Sequence, residues 1–116
     1  DGEDAMKKHI AILLCVFAAL PAKAELSADM VYFFTYKNCP HCKLADNYIK
    51  QHHPALKVAK IEISGVKNTL LYLECAAKHG LGESAGTPLF CIGNDFIQGW
   101  GADAPRRFDA YVAALP

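Results

Sequence analysis

The chain has 116 residues, and its 12 Lys and Arg residues balance its 12 Asp and Glu residues, so its formal net charge is zero. This length is sufficient for one domain. A neutral chain with no basic stripe lacks the electrostatic footprint of a protein that binds nucleic acids or anionic surfaces. We therefore expect no nucleic-acid partner.

The first 24 residues are typical of a secretory leader. After the upstream residues 1–5, the segment 6–24 reads MKKHIAILLCVFAALPAKA, with a basic start, an apolar run over 10–20 and a small-x-small end. The apolar run has about half of the ~20 residues that a membrane-spanning helix needs, which predicts no stable membrane insertion. A buried N-terminal helix is the alternative interpretation. We predict cleavage near Ala24, export to the periplasm or the extracellular space, and one domain over 25–116.

The predicted domain starts with the pattern of a buried strand followed by a helix. Residues 30–36, MVYFFTY, form an apolar run rich in aromatic and β-branched side chains, which predicts a buried strand. Cys39 then stands at the N-cap position of a helix and Pro40 at its first residue, where proline is favoured. The helix is expected to extend to about His53, because Pro54 stops it.

The rest of the domain alternates between helix and strand patterns. These patterns predict a strand at 58–63, a helix from about 68 to 79, strands at 87–92 and 96–98 that form a hairpin, and a helix at 104–114. Strands connected through helices pair in parallel, whereas a hairpin adds an antiparallel pair. The sequence therefore predicts an α/β fold of order βαβαββα, with a four-stranded mixed sheet flanked by helices. The histidines at the helix ends, His52, His53 and His79, are interpreted as capping and cation–dipole groups.

Cys39 and Cys42 flank Pro40 and His41 at the predicted start of the first helix. There the Cys39 sulfur faces unpaired backbone N–H groups and the positive end of the helix dipole, which both stabilise a thiolate. Such placement lowers the pKa of a cysteine from ~8.5 into a range of roughly 3.5 to 7.5. A protonated His41 adds positive charge nearby. We predict that Cys39 is the nucleophile of thiol–disulfide exchange and that Cys42, the more buried cysteine, resolves the mixed disulfide.

The same pair of cysteines has two other interpretations. One is an inert disulfide, and the other is a site in which Cys39, Cys42 and His41 hold Zn²⁺ or Cu⁺. A closed zinc site needs four ligands, and no second Cys-x-x-Cys or His pair follows at a matching spacing, so we predict no bound metal. Cys75 and Cys91 fall on the second helix and the third strand. They form either a second disulfide, which an oxidising compartment favours, or two buried thiols.

Three features in this order resemble the thioredoxin superfamily and, in size, its minimal glutaredoxin-like members. They are Cys39-Pro40-His41-Cys42 directly after the first strand, Gly86-Thr87-Pro88 before the third strand, and NDFIQGW over 94–100. The Cys-Pro-His-Cys sequence also resembles the exported dithiol oxidases of the Dsb family. The resemblance implies a cis peptide bond before Pro88, beside the redox pair, and a Thr87 backbone that is free to pair with an extended substrate segment.

Other positions depart from these relatives. Phe33 stands where thioredoxin-like proteins often bury a carboxylate, and Tyr36 stands where glutaredoxins usually have a basic residue. Lys37 and Asp103 remain candidates for binding glutathione. Trp100 either covers the sheet edge or lies near the active rim.

Taken together, these patterns predict an exported, monomeric thiol–disulfide oxidoreductase that exchanges disulfides with protein or small thiols and is recycled by a separate redox partner. No resident cofactor is expected, and glutathione is the alternative co-substrate. The rival interpretations are a periplasmic metal-delivery domain, a glutathione-dependent glutaredoxin and a disulfide-stapled interaction module. The expected site comprises the catalytic residues Cys39, Cys42, His41 and Pro40 and the substrate-binding residues Thr87, Pro88, Gly86 and Tyr36. The direction of electron flow is left open.

Overall fold

A computed structural model describes residues 26–116, so the predicted leader and its cleavage near Ala24 lie outside the described residues. The helices and strands of this part of the chain follow the predicted order βαβαββα. They are β1 (Val31–Thr35), α1 (Pro40–His52), β2 (Val58–Glu62), α2 (Gly65–Lys78), β3 (Leu89–Ile92), β4 (Asp95–Gln98) and α3 (Ala104–Ala113), with a short 3₁₀ turn at Gly82–Ser84. None of the helices in residues 26–116 has the length and the apolar content to traverse a lipid bilayer.

The four strands form one mixed sheet in the order β2-β1-β3-β4. β1 pairs in parallel with β2, with Val31 opposite Val58, and antiparallel with β3, with Phe34 opposite Leu89. β3 and β4 form the antiparallel hairpin. The predicted α/β class and mixed sheet are therefore confirmed, and the architecture is compatible with a thioredoxin-like fold. Because β1 is central, the chain leaves the middle of the sheet when it enters the loop to Cys39.

Each face of the sheet has its own hydrophobic core. Successive side chains of a strand point to opposite faces, so Phe33 and Phe34 enter different cores. Phe33 stacks on Phe90 with ring centroids 4.6 Å apart, in the core that α1 and α3 cover. Trp100 lies in the same core, with its ring 5.6 Å from that of Phe90 and 6.0 Å from that of Phe108. Trp100 is only 9% exposed, so its ring is packed in this core and is not an exposed contact residue.

Cys75 on α2 and Cys91 on β3 form a disulfide, which decides the question that the sequence left open. Both residues are buried in the core between the sheet and α2, at 0% and 2% exposure. The bridge joins residues with a sequence separation of 16. A loop of about that length restricts the unfolded chain and contributes roughly 3 kcal/mol of stability in the chain-entropy account. This disulfide is therefore a structural link between α2 and the sheet.

The hairpin turns at Gly93, where the start of the described chain packs against it. Gly93 has a φ of +59°, in the left-handed region that glycine adopts readily. Its amide donates to the carbonyl oxygen of Met30 at 3.4 Å. A Cβ at Gly93 would lie 3.1 Å from the carbonyl oxygen of Ala28, a tight contact that a side chain could make only if its neighbours shifted by a few tenths of an ångström. The residues before β1 therefore lie at the hairpin end of the sheet, opposite to the end from which β1 enters the loop to Cys39.

Candidate redox site

The loop after β1 places Cys39 at the N-cap of α1. Asn38 has a φ of +57°, a left-handed conformation that Asn tolerates better than most residues. Cys39 is extended, with φ −107° and ψ 100°, and Pro40 opens the helix. The backbone amide of Cys42 donates to Sγ of Cys39 at 3.2 Å. The predicted N-cap placement of Cys39 is confirmed, with a sulfur atom in the role that a side-chain oxygen usually has.

Cys39 and Cys42 form a disulfide, with their Cα atoms 5.2 Å apart. Cys39 is half-buried, whereas Cys42 is only 4% exposed, so Cys39 is the more accessible cysteine. His41 is exposed in the first turn of α1, and that turn contains no acidic residue. The positive end of the helix dipole is therefore not opposed by a carboxylate of its own first turn.

The Thr87–Pro88 peptide bond is cis, as the resemblance predicts. Leu89, the next residue, pairs with Phe34 near the C-terminal end of β1. This register brings Pro88 to the same end of the sheet as the loop to Cys39. The topology therefore places the predicted substrate-binding segment and the redox pair at one end of the sheet.

Two hydrogen bonds hold the segment that contains the cis bond. The amide of Gly99 donates to the carbonyl oxygen of Pro88 at 2.8 Å. The hydroxyl of Tyr72 donates to the carbonyl oxygen of Gly86 at 3.1 Å. One bond comes from the residue after β4 and the other from α2, so the segment is held from both sides. Gly86 and Thr87 are half-buried.

A cavity of about 410 Å³ opens beside the disulfide, between the loop after β1, α1 and β2. Cys39 and Cys42 both line it, together with Tyr36, whose side chain is 51% exposed. Of the four predicted substrate-binding residues, Tyr36 alone lines this cavity, and the segment from Gly86 to Pro88 lies outside it. The charged residues of its lining are Lys37, Lys43, Asp46, Lys60 and Glu62.

Asp46 and Lys60 of this lining form a charged cluster with Lys50, which lies outside the lining. Sequence reasoning missed this cluster. The carboxylate of Asp46 lies 2.8 Å from Nζ of Lys50 and 3.2 Å from Nζ of Lys60. Partial burial raises the pKa of Asp46, but the hydrogen bonds and charges of the two lysines outweigh it, so the pKa of Asp46 lies below its ordinary value of 3.8. The spacing of Asp46 and Lys50 is visible in the sequence as a helical i,i+4 pair. Lys60 comes from β2, and only the fold brings it to Asp46.

β1 carries no carboxylate, and its buried Phe33 lies in the same core as Cys42. Its side chain is 1% exposed, and Nζ of Lys60, its register partner on β2, lies 5.9 Å from the centroid of its ring. The carboxylate that Lys60 contacts comes instead from Asp46 on α1.

The two candidates for binding glutathione differ in their surroundings. Lys37 lines the cavity beside the disulfide. Asp103, at the N-cap of α3, accepts hydrogen bonds from Arg106 at 2.9 and 2.7 Å, so its carboxylate is already engaged. Within residues 26–116, no group of three or more His, Cys, Asp or Glu side chains is arranged to hold a metal ion.

No protein-family model, no curated protein and no solved structure matches the chain. Its function is therefore argued from the geometry and chemistry of the site. A Cys-x-x-Cys disulfide at a helix N-cap, with one accessible cysteine and one buried cysteine, is compatible with thiol–disulfide exchange.

Proposed function

We propose that this protein is an exported thiol–disulfide oxidoreductase, a minimal member of the thioredoxin superfamily with a Dsb-type Cys-Pro-His-Cys site. The observation that carries the proposal is the position of the Cys39–Cys42 disulfide at the N-cap of α1. A bridge that serves only to staple a fold needs neither this position nor an accessible sulfur, whereas an exchange catalyst needs both. The disulfide between Cys75 and Cys91 supports an oxidising location such as the periplasm.

In the proposed reaction, a substrate thiolate attacks Sγ of Cys39. A substrate–Cys39 disulfide forms, the Cys39–Cys42 bond breaks, and its electron pair goes to Sγ of Cys42, which takes up a proton. A second substrate thiolate then attacks the substrate sulfur of the mixed disulfide and releases Cys39 as a thiolate. The substrate loses two electrons and two protons as its disulfide forms, and the protein gains the two electrons. A partner that carries a disulfide re-oxidises the protein by the reverse exchange.

The N-terminal end of α1 drives this reaction in the oxidising direction. Backbone N–H groups and the helix dipole stabilise the Cys39 thiolate, and a thiolate that is stabilised favours the reduced form of the protein. Pro40 fixes the first turn, and His41 adds positive charge when it is protonated. The segment from Gly86 to Pro88 and the exposed Tyr36 are proposed to receive an extended segment of the substrate. A monomer without a resident cofactor suffices for this reaction.

The proposal is tested with the mature domain in its oxidised form and a reduced peptide that contains two thiols. We expect stoichiometric formation of the peptide disulfide and the appearance of two free thiols in the protein. Cys42→Ser, reduced and then mixed with an oxidised peptide, is expected to accumulate a mixed disulfide at Cys39, which mass spectrometry detects. Cys39→Ser is the matched control and is expected to accumulate none.

Other outcomes of the same experiment separate the rival functions. A Cys39–Cys42 bridge that mild thiols leave intact overturns the proposal and favours a stapled interaction module. Tight binding of Zn²⁺ or Cu⁺ by the reduced protein, without peptide oxidation, favours a metal-delivery domain. Exchange with glutathionylated peptides alone favours a glutaredoxin.

A further inference from the structure

The charged cluster of Asp46, Lys50 and Lys60 lies beside the buried half of the redox pair, and the mechanism above gives it no role. Asp46 follows Cys42 by four residues on α1, a spacing that puts two side chains on one helix face with Cβ atoms about 5–6 Å apart. Cys42, Asp46 and Lys60 line the same cavity, whereas Lys50 is not part of its lining. Two opposite charges therefore line the cavity that Cys42 also lines.

Resting on the function proposed above, we propose that Asp46 and Lys60 are positioning residues that set the redox equilibrium of the Cys39–Cys42 pair, and that they act with opposite signs. Reduction puts two electrons into the S–S bond and leaves a thiolate or a thiol on each sulfur. The Lys60 cation stabilises that negative charge and favours the reduced form. The Asp46 anion opposes it and favours the disulfide.

The ion pair of Asp46 and Lys60 joins α1 to β2. Its two charged atoms are 3.2 Å apart, and the Phe33 ring lies beneath the Lys60 ammonium. The Lys60 side chain is 51% exposed and that of Asp46 is 20% exposed, so solvent screens both charges in part. We therefore expect each charge to change the equilibrium constant by about two- to fivefold and no more.

The lowered pKa of Asp46 indicates that it acts as a fixed negative charge and not as a group that donates or accepts a proton. Partial burial raises its pKa, but Lys50 and Lys60 bring the pKa below 3.8, so the carboxylate stays ionised wherever thiolates exchange. Efficient proton transfer to a thiol needs a carboxyl with a pKa near the working pH. The other charged residues that line the cavity, Lys37, Lys43 and Glu62, form a background that the substitutions below leave unchanged.

The test measures the equilibrium constant for reduction of the Cys39–Cys42 pair by glutathione, with the thiols counted by alkylation and mass spectrometry. Lys60→Met is expected to lower this constant by about two- to fivefold, and Asp46→Asn is expected to raise it by a similar factor. The double variant is expected to lie near the wild type. Lys50→Met is the matched control, since it removes an ion pair from the same carboxylate. Lys50 does not line the cavity, and its side chain is 72% exposed, so solvent screens its charge more than that of Lys60 and its replacement is expected to change the constant least.

A merely structural role for the cluster predicts a different result. Lys60→Met and Asp46→Asn remove the same ion pair, so both would lower the melting temperature and neither would shift the redox equilibrium in a particular direction. Shifts of the same sign, or no shifts, overturn the inference while the wild type still oxidises dithiol peptides. A wild type that does not exchange disulfides at all overturns the proposed function instead.

Discussion

The amide nitrogen of Cys42 lies 3.2 Å from Sγ of Cys39 and donates a hydrogen bond to it. The same N–H remains in place when the disulfide is reduced, if α1 keeps its first turn. It then faces a sulfur that carries a full negative charge, and a hydrogen bond to an ionised acceptor is roughly twice as strong as one between neutral groups. The N-cap is thus better suited to the thiolate than to the disulfide.

This hydrogen bond leads to a prediction about the protonation of Cys39. We expect the Cys39 thiolate to form well below pH ~8.5, the pKa of a free cysteine, because the N–H groups and the dipole of α1 stabilise it. The measurement is a pH titration of thiolate absorbance in Cys42→Ser, so that Cys39 is the thiol of the redox site that titrates. A midpoint at or above ~8.5 would show that the N-cap does not activate Cys39. The Cys75–Cys91 bridge stays oxidised in this experiment and contributes no thiolate.

The second prediction concerns His41 and the direction of the reaction. A stabilised Cys39 thiolate makes the pair more oxidising, so we expect a potential above the about −270 mV of thioredoxin. Replacement of His41 by Ala is expected to make the pair more reducing by roughly tens of millivolts, since each pKa unit of a thiolate is worth ~1.4 kcal/mol, or ~30 mV for two electrons. Both proteins are equilibrated in the same glutathione buffers. Equal potentials of the wild type and the His41→Ala variant would show that Pro40 and the N-terminal end of α1 set the redox potential of the pair without a contribution from His41.

The third prediction separates the two disulfides. The Cys75→Ala, Cys91→Ala double variant is expected to lose about 2–5 kcal/mol of unfolding free energy, because the bridge between α2 and β3 is removed from the core. Urea denaturation of the two proteins measures this difference. The glutathione equilibrium of the Cys39–Cys42 pair is expected to stay unchanged. If mild thiols reduced Cys75–Cys91 as readily as the redox pair, its assignment as a structural link would be wrong.

The fourth prediction concerns a polar contact between α1 and α3. The hydroxyl of Tyr48 lies 2.8 Å from both carboxylate oxygens of Asp109, and Nε2 of His53 lies 2.7 Å from one of them. Partial burial raises the pKa of Asp109, but its hydrogen bonds to His53 and Tyr48 and the charges of His53 and His52 outweigh it, so its pKa lies below 3.8.

A carboxyl with a lowered pKa in the folded state contributes stability above its unfolded pKa and loses it as the pH falls through the folded value. We expect Asp109→Asn to be less stable than the wild type at pH 7, by an amount on the order of 1 kcal/mol. This difference is expected to shrink as the pH falls below about 3.8, the ordinary value. Urea midpoints at pH 7 and at pH 3 or below provide the comparison. Tyr48→Phe controls for the hydrogen bond alone, and a pH-independent difference for Asp109→Asn would contradict the assignment.

Much of the fold could be predicted because local patterns and topology agree. The apolar run over 30–36 and the proline at the start of α1 decide the first two elements without help from tertiary contacts. The start of α2 was harder to predict, since the helix begins at Gly65 and not near 68. Ser64 and Gly65 are typical of a turn and glycine is a poor helix former, so the start of the helix is hidden although Val66 begins an apolar series that Leu70 and Leu73 continue at helical spacing.

Contacts between distant residues could not be decided from the sequence, which left the pairing of Cys75 with Cys91 open and gave no sign of the contact between Asp46 and Lys60. The pairing of Cys75 with Cys91 needs α2 to lie across β3, and the contact of Asp46 with Lys60 needs α1 to lie beside β2. Both are long-range relationships that no local pattern encodes.

His79 lies at the C-cap of α2, as predicted, but its surroundings do not favour the cationic form there. Its ring stacks on Phe96 with centroids 4.6 Å apart, and its buried Nε2 has no hydrogen-bond partner in the described part of the chain. Burial, with the charge of Lys78, lowers the pKa of His79 and favours the neutral form. The packing of Phe96 on β4 against His79 at the end of α2 therefore buries the imidazole and favours its neutral form.

The packing of Ala28 and Met30 against the turn at Gly93 has a consequence for how the protein can be tethered. A strand rises about 3.3 Å per residue, so the four steps from the first to the last of the 5 residues of β1 separate its two ends by roughly 13 Å. A fluorophore, a fusion partner or a solid support linked ahead of Leu26 would be held at the end of the sheet that is remote from Cys39. Immobilised through that end, the protein would present its accessible sulfur outward, toward a folded protein that approaches from solution.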